Sequence, residues 1–305
     1  MRIVGVSRPG GGVDVADLSE DGTTGTVLGD VEEFWRDPEG HLAGSASGPA
    51  TAAHTVDLVP PVLPAARMLC IGLNYLRHVA EGSLRDEALP AYPTLFARWT
   101  RSLTVDGADV PVPGNEAGLD WEGEVVAWVG RTLVDVTPEE ALAAVVGYST
   151  FNDITARAAQ KQTSQWILGK NGDRSGPLGP MVPAAEVGDL RDGLRVRTRV
   201  NGEVVQDGST SEMVYHVGET LAHVSRTMTL HPGDLLATGT PSGVGYARTP
   251  PWLLAPGDEV EVEVERLGVL RNHIVGNAVR LGPAQPGGPA ERGQAAGVGT
   301  AGHGR

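Results

Sequence analysis

The stretch that most constrains the fold is Asp120–Gly130, "DWEGEVVAWVG". It reads as a β-strand that carries two glutamates on its apolar side. Side chains two apart in a strand share a face, with Cα atoms roughly 6.6–6.8 Å apart, so Glu122 and Glu124 are followed on their own face by Val126 and Trp128. A second segment, "DEVEVEVERLG" (residues 258–268), is the contrast. There the glutamates 259, 261, 263 and 265 take one face and Val260, Val262 and Val264 the other, the pattern of a half-buried strand with a solvated acidic side. Glu122 and Glu124 break that pattern. Two carboxylates on a buried face need a compensating cation or proton; the other reading is a strand end emerging into water.

A chain of 305 residues can bury a substantial core, as one large or two modest domains. Its formal net charge of -14 disfavours a phosphate-backbone partner, and no basic, aromatic-rich stripe is evident, so a nucleic-acid role is not expected. Cation binding stays open. Cys70 is the single cysteine, which excludes an intrachain disulfide framework and a cysteine-rich zinc site. No run approaches transmembrane length and "MRIVGVSRPGGG" lacks a signal-peptide core, so no membrane partner and a cytoplasmic location are expected.

Three regions are expected. Residues 1–60 read as a small β-rich module, with "RIVGV", "GVDVADL" and "TGTVLG" as strands, closed by the proline-rich joint "VPPVLPAAR". Residues 61–281 form the main body, mostly strands with a few short helices. Residues 282–305 have almost nothing to bury and are expected to be disordered. Within the body, "MLCIGL" predicts a buried strand and "NYLRHVAEG" one or two helical turns. "TPEEALAAVVG" predicts a helix capped by Thr137, with Pro138 first, Glu140 completing a capping box and Gly147 available to end it. "YSTFNDIT" predicts another strand, "HVGETLAHVSRTM" a second helix, and "TLHPGDLLATGTPSGVG" a turn, a strand and a glycine-rich loop.

Several residues are candidates for chemistry. A strand, a capped helix and a second strand can return Asp153 to the side of Glu122 and Glu124, and three such oxygen ligands suit Mg²⁺ or Mn²⁺, or else Ca²⁺. Spacing alone does not establish that proximity, and on its own Asp153 reads first as a turn or cap residue. His78 and Glu81 lie at i and i+3, where a carboxylate can orient an imidazole to take a proton from water; a surface pair is the other reading. Lys170, between glycines in "QWILGKNGD", can neutralise a substrate carboxylate or an enolate, or stand as a solvated turn residue. A phosphate-binding P-loop, a dinucleotide fingerprint, a nucleophile elbow and H-E-x-x-H are all missing, which removes serine hydrolysis and zinc proteolysis.

Taken together, "CIGLNYLRHVAE", "PTLFARWTRSL", "LDWEGEVVAWVG", "VVGYSTFNDITARAAQ", "QWILGKNGDRSGPLGP", "VNGEVVQDGST" and "TLHPGDLLATGTPSGVG" resemble, in order, the fumarylacetoacetate hydrolase family and its short bacterial-type members. The resemblance implies an α+β, mainly β fold: a mixed β-sandwich roll as catalytic domain, usually in a homodimer. It implies Mg²⁺, Mn²⁺ or Ca²⁺ held by Glu122, Glu124 and Asp153, a water-activating pair at His78 and Glu81, and a catalytic lysine at Lys170. Substrate-contacting positions fall on Arg98, Arg157, Gln160 and Thr240. There are departures. Trp121 replaces a usual Tyr or Phe, Ala158 stands at a usual acid and so removes a neighbour from Arg157, and Gly172 replaces a common aromatic and so widens that wall. The expected reaction is metal-dependent hydrolysis of a C–C bond in a small 1,3-diketo or 2,4-dioxo acid. The alternatives are decarboxylation, isomerisation, or hydration and dehydration of a 2-oxo acid, and more remotely a non-catalytic metal-binding member.

Overall fold

The structure, a computed structural model, describes residues 1–19, 22, 24–44, 50–52, 58–75 and 91–277. Strands β1 to β5 (Ile3–Ser7, Val13–Leu18, Thr24–Asp30, Ala50–Ala52 and Leu58–Val59) form one sheet in the order β4-β3-β2-β1-β5, all pairs antiparallel. The body then supplies β6 (Met68–Gly72), β7 (Thr94–Arg98), β8 (Leu103–Thr104), β9 (Val110–Pro111), β10 (Gly123–Val129) and β11 (Val145–Asn152). After these come β12 (Gly176–Pro177), β13 (Val182–Pro183), β14 (Arg195–Val200), β15 (Glu203–Ser209), β16 (Leu235–Ala237), β17 (Glu259–Val264) and β18 (Gly268–Val275). Two sheets dominate the body, ordered β13-β11-β10-β16-β6-β7 and β15-β14-β17-β18-β9. Both are mixed, with β16 parallel to β6 and β18 parallel to β9. The chain is mainly β, as the resemblance implies. No described helix is long and apolar enough to cross a membrane.

β10 lies inside the first large sheet and is buried at every position. Its odd face, Val125, Ala127 and Val129, packs in one core with Val196, Val262 and Val264 of the second sheet and with Leu221 of the helix Val217–Ser225. Its even face, Val126 and Trp128, packs in another core with Ile3, Val15, Phe34 and Trp35. The N-terminal sheet is therefore seated on the same face that carries the glutamates. The Trp35 and Trp128 rings stack at 5.3 Å between centroids. Ile3 exchanges both backbone hydrogen bonds with Met181, at 2.8 and 2.9 Å. The proline-rich joint is docked too, since the Trp35 indole N–H donates to the Pro61 carbonyl at 2.7 Å and Val62 and Leu63 pack on the same core.

Two local expectations need correction. The helix Pro138–Ala143 has the predicted capping box between Thr137 and Glu140, but it stops at Ala144 rather than Gly147. Val145 already pairs with Val129, and the register shift beside it leaves Val146 unpaired against Gly130, where a Cβ would collide with its side chain. Tertiary strand pairing overrides helix continuation here. β17 does alternate buried valines with half-buried glutamates. Its acidic side is not simply solvated, however. Arg199 bonds Glu261 and Glu263, and Arg271 bonds Glu261, so arginines from both neighbouring strands cover it. The expected turns at "NYLRHVAEG" and the tail 282–305 lie outside the described residues.

Candidate active site

β10 and β11 pair antiparallel with Gly123 opposite Asn152, a register that sets Glu122 opposite Asp153. The Asp153 N–H donates to the Glu122 carbonyl at 2.9 Å and closes the pairing. Because cross-strand partners share a face, Glu122, Glu124 and Asp153 gather at one end of it, with Phe151 opposite Glu124 and Val126 and Trp128 filling the other end. All three are buried, and each offers a carboxylate oxygen within 4.8 Å of the others. Burial pushes the Glu124 carboxyl well above its ordinary range, and the neighbouring charges of Asp153 and Glu122 push it the same way. Its Oε2 accepts from the Gly239 N–H at 3.0 Å. Gly239 sits at φ +85°, and a Cβ there would meet the Ile71 carbonyl oxygen at 2.9 Å, so this close approach requires glycine.

The cations come from two short helices, Arg157–Gln160 and Ile167–Lys170. They touch through Gly169, where a Cβ would lie 2.4 Å from the Gln160 Cβ. The Lys170 Nζ donates to Glu122 Oε2 and Asp153 Oδ2, both at 2.6 Å. Burial opposes its charge most strongly, but Asp153 and Glu122 together outweigh that, and its pKa lies above the ordinary lysine value. Arg157 donates to Asp120 Oδ2 at 2.8 Å, Glu122 Oε1 at 2.6 Å and Gln160 Oε1 at 2.9 Å. Its burial likewise opposes the charge, and the same kind of pairing holds its pKa raised. Ala158 therefore does not leave Arg157 short of partners. Arg98 bonds Asp153 Oδ1, Ser175 at 2.9 Å and the Ile154 carbonyl at 2.6 Å.

A cavity of about 330 Å³ opens above this cluster. Glu122, Glu124, Arg157, Gln160, Lys170 and Thr240 line it, with Ile71, Phe96, Trp166, Val244 and Tyr246 as its apolar walls. Arg98 is not on this wall. Expected at the substrate, it lies fully buried behind Asp153, where it holds that carboxylate in place. Gly172 is not on the wall either; Phe96 and Trp166 form that side, edge to face at 5.2 Å. Thr240 donates to the Gly123 carbonyl at 2.9 Å. His78 and Glu81 lie outside the described residues.

Sequence reasoning passed over two residues. Asp120 is one more step of two back from Glu122, and extending the alternation would have found it. It holds Arg157 and accepts from the Gly245 and Tyr246 N–H groups at 2.7 and 3.2 Å. Gln206 accepts from the Gly123 N–H at 3.0 Å and donates to Thr240 Oγ1 at 2.9 Å. No local signal marks it, because its partners are remote in sequence.

The donor set fits a divalent metal: three buried, converging hard-oxygen ligands, one of them, Glu124, without an ion pair among the described residues. Such a centre, on a mixed β body and beneath a small cavity, defines a metal-binding enzyme of the kind the resemblance implies. The model of the fumarylacetoacetate hydrolase C-terminal domain matches residues 67–275, and the chain belongs to that family. It is 39% identical to oxaloacetate tautomerase YisK of Bacillus subtilis over 215 residues, 69% of this chain and 70% of that protein. It is 35% identical to the mitochondrial oxaloacetate tautomerase Fahd2a of Rattus norvegicus over 232 residues, 76% of this chain and 73% of that protein. Among solved structures it is similar to fumarylpyruvate hydrolase from Pseudomonas aeruginosa, crystallised with Mn²⁺ and pyruvate. There the TM-score is 0.63 at 30% identity, covering 72% of this chain and 91% of that one.

Proposed function

We propose that the protein is a divalent-metal-dependent enzyme that interconverts the enol and keto forms of a small 2-oxo acid. The observation that carries the reading is the buried triad Glu122, Glu124 and Asp153 with the Lys170 ammonium against it at the floor of the cavity. The two tautomerases at 35% and 39% identity support this choice of reaction over the other enolate chemistries of the family.

Glu122, Glu124 and Asp153 would hold Mg²⁺, Mn²⁺ or Ca²⁺. When bound, the ion supplies Lewis-acid polarisation of the 2-oxo group. Lys170 is placed as a donor, with Asp153 and Glu122 holding its pKa above the ordinary lysine value in the metal-free protein despite its burial. Its N–H groups are placed to stabilise an oxygen that gains negative charge. Arg157 orients Glu122 and adds positive potential, and Asp120 fixes Arg157 in turn. Thr240 and Gln160 add polar groups to the lining, while Phe96, Trp166 and Val244 limit water and so strengthen each charge interaction. Tautomerisation moves one proton from the enol oxygen and adds one to C3, and consumes no water.

A second reading, hydrolysis of a C–C bond, keeps the same floor and adds an attacking water. The His78 and Glu81 spacing and the likeness to fumarylpyruvate hydrolase favour it. One experiment separates the two. Freshly dissolved enol-oxaloacetate and an acylpyruvate are each followed by proton NMR with Mg²⁺ and with EDTA. The expected result is Mg²⁺-dependent acceleration of ketonisation. Metal-dependent release of pyruvate and a carboxylic acid from the acylpyruvate, without that acceleration, overturns the tautomerase reading in favour of hydrolysis.

A further inference from the structure

Three cations line the cavity among the described residues: Arg157, Lys170 and Lys161. The first two are committed to carboxylates. Lys161 is not. It is exposed at the mouth, makes no ion pair among the described residues, and rests its Nζ 3.4 Å from the centroid of the Tyr246 ring. Lys161 follows Arg157 by four residues, as the cap that ends the helix Arg157–Gln160, and residues so spaced lie on one helical face about one turn apart. One short helix thus presents a neutralised cation at the floor and a free one at the rim. Tyr246 is fixed beside this helix, since its N–H donates to the same Asp120 that holds Arg157.

We infer that Lys161 is a specificity-determining residue that binds the distal carboxylate of a dicarboxylic 2-oxo acid, leaving the Tyr246 ring to do so. This rests on the proposed 2-oxo acid chemistry and names its substrate class. The charge balance agrees. Among the residues described at the site, the carboxylates of Asp120, Glu122, Glu124 and Asp153 face the cations Arg98, Arg157, Lys170 and Lys161. With all four carboxylates ionised once the metal is bound, a divalent ion and a dianionic acid together leave the site neutral. A monoanionic acid leaves one positive charge uncompensated beside Lys161. A solvated lysine with an aromatic resting place is also a low-cost donor to recruit, because a cation over a ring is held weakly at an exposed site.

The test compares two five-carbon acids that differ only at the far end, 2-oxoglutarate and 2-oxopentanoate. Their binding to the full chain is measured by calorimetry in Mg²⁺. Wild type is expected to bind 2-oxoglutarate about tenfold tighter, the share of one charge-assisted hydrogen bond at a half-open rim. Lys161→Met removes that preference and leaves 2-oxopentanoate binding unchanged, Lys161→Arg retains it, and raising the salt concentration shrinks it. Equal affinities in wild type, no measurable binding of either acid, or equal losses for both acids in Lys161→Met overturn the assignment. Dicarboxylate preference in a protein that ketonises nothing overturns the reaction proposed above and leaves Lys161 assigned. Ketonisation with binding indifferent to Lys161 does the reverse.

Discussion

Replacing Lys170 by methionine keeps most of the stem and deletes the charge between Glu122 and Asp153. Both bonds are 2.6 Å and the side chain is 2% exposed, so the two carboxylates it leaves behind cannot turn to water. Breaking a buried pair by removing one partner costs about 3–5 kcal/mol. The lower end applies, because Arg157 still covers Glu122 and Arg98 still covers Asp153. At about 2 °C per kcal/mol for a chain of this length, the thermal midpoint in EDTA should fall by about 6 °C. Mg²⁺ should bind the variant at least about tenfold more tightly, since a cation that repels it and occupies two ligand oxygens is gone. Ligand linkage then makes the gap in midpoint between Mg²⁺ and EDTA wider in Lys170→Met than in wild type. Turnover should be lost, with the donor to the developing enolate. Differential scanning fluorimetry and calorimetric Mg²⁺ titration read both quantities. An unchanged midpoint in EDTA, or weaker Mg²⁺ binding in the variant, refutes the picture of an ammonium competing with the metal for the same oxygens.

Glu124→Gln should weaken Mg²⁺ by more than about tenfold and reduce activity with it, while stabilising the metal-free protein, because the amide is buried uncharged without first having to take up a proton. Since the folded Glu124 carboxyl titrates well above its ordinary 4.5, its contribution to metal-free stability is fully present below that value and is lost as pH rises through the folded pKa. Mg²⁺ binding should accordingly release protons wherever the metal-free Glu124 is still protonated, read as a buffer-dependent heat, and a heat independent of buffer at every pH above 4.5 counts against the shift. Trp35→Ala should cost about 3–5 kcal/mol and lower the midpoint of a single transition; two separate transitions in wild type would mean that the N-terminal sheet and the body do not share a core. His78→Ala should spare Mg²⁺ affinity and abolish any acylpyruvate hydrolysis, and unchanged hydrolysis removes His78 from that reaction.

The acidic triad was half legible in the sequence. Strand alternation alone puts Glu122 and Glu124 together, and it also places Asp120 one step earlier. Asp153 joined them only through the β10–β11 register, a long-range pairing that spacing does not specify. The capping box at Thr137 was legible because it is written within four residues; the helix end was not, because Val145 answers to Val129 across the sheet. Arg98 illustrates the same divide. Its presence near the site followed from the resemblance, but whether it faces the substrate or backs a ligand depends on Ser175 and Ile154, which no pattern near residue 98 announces. The seating of the N-terminal sheet rests on Trp35 finding Trp128, a complementarity between segments that each look ordinary alone.

β10 and its partner β11 are buried at every position, while β17 alternates. In a saturation mutagenesis screen this difference should appear as two kinds of tolerance profile. Along β17 sensitivity should oscillate with every second residue, because half the positions can absorb a polar change. Along β10 and β11 there is no such relief, and the tolerated alphabet should be narrow without interruption from Gly123 to Val129 and from Val145 to Asn152. The strand pair that carries the acidic triad should therefore tolerate less change than β17. New specificities are more readily reached through the helices at 157–160 and 167–170 and the loop at 239–247, which shape the cavity from outside that pair.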